Sequence, residues 1–175
     1  MDSWYPFDIK SKKVLMRMNI NAFGKHDDAY FQIHEMPDNS IKAFWRTALP
    51  DRKFAECAGD IARKYFAGNL MTIKELIITE EYKKEIDIIS PINEIDFSDE
   101  EARQIVEVCN NGLPDDYKSI GGRDGHSYDI WFGNGKRINL WCIVHESVGA
   151  VADVINLLVN KAGLDEGIYG IRIRK

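Results

Sequence analysis

Two turn signals constrain what this chain can fold into. Pro37-Asp38-Asn39-Ser40 separates the β-branched and aromatic runs 30–34 and 41–49, and Gly133-Asn134-Gly135 separates runs 126–132 and 137–144. Proline presets φ, Asp and Asn side chains bond to nearby backbone, and Gly and Asn tolerate positive φ, so each cluster predicts an antiparallel hairpin. Residues 13–23 set Val14, Met16, Met18 and Ile20 against Leu15, Arg17, Asn19 and Asn21, the alternation of a strand with one buried face. These segments predict a sheet built from hairpins.

Helical segments punctuate the strands. After Pro50, Asp51 is placed to cap a helix whose Phe54, Ala58, Ile61, Ala62 and Tyr65 share one stripe, with Gly68 as its left-handed stop. Residues 71–79 (MTIKELIIT) read as a strand, and residues 80–97 as less regular, with Ser90-Pro91 breaking any helix. Ser98 and Glu101 make a capping box for a helix presenting Ala102, Ile105, Val106 and Cys109, stopped at Asn110-Asn111-Gly112 with Pro114 beyond. Val148, Val151, Ala152, Ile155, Leu158 and Val159 mark a further amphipathic helix ending near Gly163, and residues 168–174 alternate as a terminal strand. The expected fold is α+β, one domain over residues 1–175, with a mainly antiparallel or mixed sheet and helices packed on it. Halves 1–80 and 98–175 repeat the order hairpin, helix, strand. Either a ββαβ-type internal duplication or one α+β domain with unrelated halves accounts for that order.

No motif identifies a reaction. The four histidines form no HxxxH or HExxH pair, and the sequence has no GxGxxG, GxxxxGK[ST] or GxSxG. No cofactor or metal is expected. Cys57, Cys109 and Cys142 are odd in number and far apart, which reads as reduced packing residues in a reducing compartment. Cys142 and His145 would face opposite ways on a strand, and His34 reads as a solvent-facing hairpin histidine. Gly121-Gly122-Arg123-Asp124-Gly125 precedes a strand, the reverse of a phosphate loop, and reads as a tight turn. No apolar run is long enough to span a bilayer and no secretion signal is visible, so a cytoplasmic, membrane-free protein is expected.

The formal charge of -5 argues against a general nucleic-acid binder, and its distribution is uneven. Residues 80–116 hold 12 acidic and 3 basic groups, a net of -9, between flanks of +2 each. Helix-dipole stabilisation accounts for Asp99, Glu100 and Glu101 but not for the remainder. A surface of this kind steers a basic protein and selects it by charge. The candidate partner-binding residues are Glu80, Glu81, Glu94, Asp96, Asp99, Glu100, Glu101, Asp115 and Asp116.

The acid-rich composition without catalytic motifs, together with residues 124–147 (DGHSYDIWFGNGKRINLWCIVHES), resembles the small bacterial immunity proteins of polymorphic toxin and contact-dependent growth inhibition systems. Their D-G-x-x-Y strand, turn and Trp-bearing strand are similar to this stretch. The resemblance implies a cytoplasmic, non-enzymatic protein that binds a cognate toxin, often a basic nuclease, and blocks it. Family sites do not transfer, because such proteins diverge most at the toxin-binding surface. The expectation is an immunity or inhibitor protein whose acidic residues engage a basic protein toxin. The alternative is a small enzyme or ligand-binding protein with a pocket where Arg123, Asp124 and His126 converge beside Gly125. A homodimer pairing through the strand edge at 168–174 is a third arrangement.

Overall fold

A computed structural model describes residues 7–22, 26–48, 51–66, 72–111 and 125–174. The predicted hairpins form as β2 (Ala29–Glu35) with β3 (Ile41–Thr47), and β5 (Ser127–Phe132) with β6 (Arg137–Trp141). The first turn carries Asn39 at φ 66 and the second Gly135 at φ 87, the positive-φ positions their residue types permit. With β1 (Lys13–Asn21) and β4 (Asn93–Asp96) they build a six-stranded sheet of order β4-β3-β2-β1-β5-β6, every pairing antiparallel.

One face of this sheet carries the main core. Met16, Met18, Phe31, Ile33, Ile130 and Leu140 are buried there under α4 (Asp99–Asn111) and α5 (Gly149–Lys161). α5 buries Val151, Ile155, Leu158 and Val159 at the helical period. A second cluster joins Ala58 and Ile61 of α1 (Asp51–Phe66) to Leu76 of α2 (Ile73–Leu76) and to Tyr82 and Ile86 of α3 (Glu80–Ile89). Ala48, just after β3, and the partly buried Tyr30 of β2 join it, so these helices lie over the other sheet face at its β2–β3 end. There Arg46 is fully buried and reaches Asp87 of α3 at 2.5 Å.

Several sequence expectations need correction. Residues 73–76 are helix α2 with a turn at 77–79, not a strand, and residues 80–89 are helix α3, not irregular. Thr79 caps α3 by accepting from the Tyr82 backbone N–H, and Tyr82 and Ile86 share the face that packs on α1. The strand that the duplicated halves would share therefore does not form among the described residues 72–79 of the first half. Val14 leaves the Met16 face, because a bulge at Leu15 sets Val14 opposite His34 and Met16 opposite Ile33. Gly133 fits against that bulge: a Cβ there would lie 2.5 Å from the Val14 carbonyl. Tyr65 is 40% exposed rather than on the buried stripe. The run 137–144 divides at Cys142 into β6 and β7 (Ile143–His145), and 168–174 divides into α6 (Glu166–Tyr169) and β8 (Arg172–Arg174). β7 and β8 pair in parallel as a separate two-stranded sheet. Asn156 secures that end from α5, donating to the Ile171 carbonyl at 3.0 Å and accepting from the Ile171 N–H at 2.8 Å.

Candidate functional site

The acidic residues separate into two groups joined by one exposed stretch. Glu80 and Glu81 occupy the first turn of α3, where carboxylates favour the helix dipole, and Lys83 holds Glu80 below the usual carboxylate range. Glu94 and Asp96 project from β4, an edge strand of the sheet, and both pair with Lys42 of β3, which lies directly across from Asp96. Those two hydrogen bonds, Glu94 first, raise the Lys42 pKa. Charged side chains on an edge also discourage unwanted strand pairing. At the start of α4 the capping box forms as expected: Ser98 N–H donates to Glu101 Oε2 at 2.7 Å and Glu101 N–H to Ser98 Oγ at 3.3 Å. The Ser98 amide and then Lys161, 3.0 Å away, hold Glu101 low. Glu100 pairs with Arg103, while Asp99 has no ion pair among the described residues. Asp115 and Asp116 lie outside the described residues.

Between α3 and α4 runs the stretch that composition alone did not single out. Asp87 is 53% exposed, and Ile88 and Ile89 expose 76% and 42%. Pro91, Asn93, Glu94 and Asp96 are exposed as well. Among the described residues, Ile88 is the most exposed large aliphatic side chain. Its signal lay in the sequence, since Ile88 is two positions beyond the buried Ile86 and so falls off the packed face of α3. Beside the stretch, Asp96 and Asp99 reach the rim of a groove of about 580 Å3 between the β1–β2 end and α4, with Leu15, Ile41, Phe97 and Val106 on its floor.

Of the alternative site, Gly125 and His126 lie among the described residues. The His126 Nε2 meets the Gly170 carbonyl at 2.7 Å, its ring lies edge-on to Tyr128, and burial lowers its pKa. Tyr128 in turn donates to the Tyr169 carbonyl at 2.8 Å. His126, just before β5, and Tyr128 within it thus tie this strand to the C-terminal end of α6. Arg123 and Asp124 lie outside the described residues.

His34 is not solvent-facing. It is 2% exposed, with Nδ1 2.7 Å from Ser11 Oγ and Nε2 3.0 Å from Gln32 Oε1. Gln32 Oε1 can only accept, so Nε2 carries the hydrogen and Nδ1 accepts from the Ser11 hydroxyl. The series has the connectivity of nucleophile, base and orienter but not the chemistry. Burial, and secondarily Arg17, lower His34 to about 4, below the range of a base acting near neutral pH, and Gln32 brings no charge to offset an imidazolium. Cys109 is likewise inert, its thiol pushed up to about 12 by burial. No group of three His, Cys, Asp or Glu residues is arranged to hold a metal ion among the described residues, and none of their helices is long and apolar enough to cross a membrane. Comparison with protein-family models, with curated proteins and with solved structures found no match to this chain.

Proposed function

We propose that this protein is an inhibitor of the immunity type, which binds a basic protein toxin through the exposed stretch from Asp87 through β4 to Glu100. The observation that carries the reading is the pair Ile88 and Ile89, exposed at 76% and 42%, adjoining an edge strand lined by carboxylates. An apolar centre with a charged rim is the composition of a protein interface, with the apolar contacts giving affinity and the charges giving rate and selectivity. Several rim carboxylates already have cation partners in the free protein, so a basic toxin would exchange ion pairs rather than fill vacant ones. On this reading the isoleucines set the lifetime of the complex and the carboxylates set the speed of encounter.

An immunity gene normally follows its toxin, so the test uses the purified product of the gene immediately upstream. A complex should form, with association that slows as ionic strength rises. Asp96→Asn, Asp99→Asn and Glu100→Gln together should slow association about tenfold at low salt, and Ile88→Asp should speed dissociation by a similar factor. The absence of a complex, or kinetics unmoved by both sets of substitutions, would overturn the reading.

A further inference from the structure

The part of the second sheet face that α1 and α3 leave uncovered is built from polar and aromatic side chains. The β1–β5 and β5–β6 registers place Arg17, Trp131 and Arg137 directly opposite one another in a row across three strands. The Arg137 guanidinium lies 4.9 Å from the Trp131 ring centroid. The next row is Asn19, Asp129 and Asn139. Asp129 receives Asn139 at 2.9 Å and Arg137 at 3.4 Å, so its charge is compensated and its position fixed. Arg17 and Arg137 are exposed, and no carboxylate lies within ion-pair distance of Arg17 among the described residues.

Charge segregates along the sheet. β4, at one end of the strand order, carries Glu94 and Asp96, while β1, β5 and β6 at the other end carry Lys13, Arg17 and Arg137 against Asp129 alone. The face therefore attracts anions although the chain as a whole is acidic. Its two arginines stand about 10 Å apart across two strand spacings, with an indole between them. A flat face, with Arg17, Arg137 and Asn139 exposed and Asn19, Asp129 and Trp131 half-buried, buries too little of a lone nucleotide or sugar to hold it well, whereas a strand laid over it engages both rows.

We propose that this half-face binds single-stranded nucleic acid, with a base stacked on Trp131, phosphates taken by Arg17 and Arg137, and base edges met by the Asn19 and Asn139 amides. Stacking on an aromatic flanked by cations is sequence-tolerant, because every base has a π face. Arg137 exchanges its present contact with the indole for a phosphate. The activity is independent of the inhibitor reading, which uses the other end of the sheet.

The test is fluorescence anisotropy of a fluorescein-labelled single-stranded RNA of about a dozen nucleotides with the full chain at low salt, a length within the site sizes of sheet-face binders. Saturable binding is expected in the range of about 10–100 µM, with tryptophan quenching. The plot of log K against log salt should slope at about -1.4 for two phosphates. Trp131→Ala, and Arg17→Ala with Arg137→Ala, should each weaken binding about tenfold, while Asp96→Asn should not. If Trp131→Ala fails to fold, the exposed arginine pair decides alone. The proposal is overturned if no binding appears up to about 200 µM, if a duplex of the same sequence binds equally well, or if a glutamate-rich peptide competes as strongly as unlabelled strand.

Discussion

Acidification between pH 8 and pH 5 should destabilise this protein through one buried histidine. In the unfolded chain His34 titrates at 6.5, whereas in the fold its pKa lies at about 4. The unfolded state therefore binds the proton that the native state refuses, so stability is full above 6.5 and drains away as the pH falls toward 4. The whole shift is worth about 3 kcal/mol at 1.36 kcal/mol per pH unit, and about 2 kcal/mol of it is lost by pH 5. Because His34 is 2% exposed, with each ring nitrogen committed to one neutral partner, solvent does not screen the effect. Urea denaturation at pH 8 and pH 5 would measure it. His34→Gln lowers stability at both pH values but should remove about 2 kcal/mol of the difference between them. His126 contributes a share of the same sign, because burial lowers its pKa too, so the variant's difference should shrink without vanishing. A pH 8 to pH 5 difference unchanged by His34→Gln would refute the reasoning.

Further substitutions probe other elements. Asp87→Ala should cost about 3 kcal/mol in chemical denaturation, because it strands the buried Arg46, whose Nε and Nη1 have no hydrogen-bond partner among the described residues. Arg46→Met should cost less, and a loss for Asp87→Ala no larger than about 0.5 kcal/mol would show the pair to behave as a surface one. Gly125→Ala should lower stability by about 2–4 kcal/mol, since its Cβ would sit 2.6 Å from Cys142 Sγ at a φ of 131°. Adding Cys142→Ala should recover only the steric share of that loss. Ser98→Ala should remove about 1 kcal/mol by leaving the α4 amides uncapped, read as a shift in the denaturation midpoint.

Features written into a few adjacent residues were legible in the sequence. The two hairpins follow from their turn residues, and α4 from a capping box that forms as drawn. The errors arose where distant chain decides. Residues 73–89 are rich in isoleucine and read as extended or irregular, yet they are helical because Tyr82 and Ile86 pack against Ala58 and Ile61 of α1. Strand alternation places His34 on the face away from Ile33 and so suggests solvent, but Ser11, 23 residues earlier, and Phe44 on the next strand cover that side. The bulge at Leu15 could not be read locally either, since its fit is with Gly133 on another hairpin. At the candidate site, composition identified the carboxylates but not their cations: Lys42 is 52 residues from Glu94 in the chain.

The order of the sheet turns a modest net charge into two surfaces of opposite sign. Had the acidic stretch entered between β1 and β5, its carboxylates would have neutralised Arg17 and Arg137, and no separate field would survive. It enters instead at β4, beyond β3 and β2, with Lys42 absorbing part of its charge. At the roughly 8 Å screening length of physiological salt, strands about 4.8 Å apart place Glu94 and Arg137 well out of each other's field. The two ends should therefore respond to salt independently. Neutralising Asp96, Asp99 and Glu100 should slow a basic protein at the β4 end and leave Arg17 and Arg137 with their affinity for anions. Removing the two arginines should do the reverse. A single substitution set that weakened both kinds of binding would mean that one surface, not two, is at work.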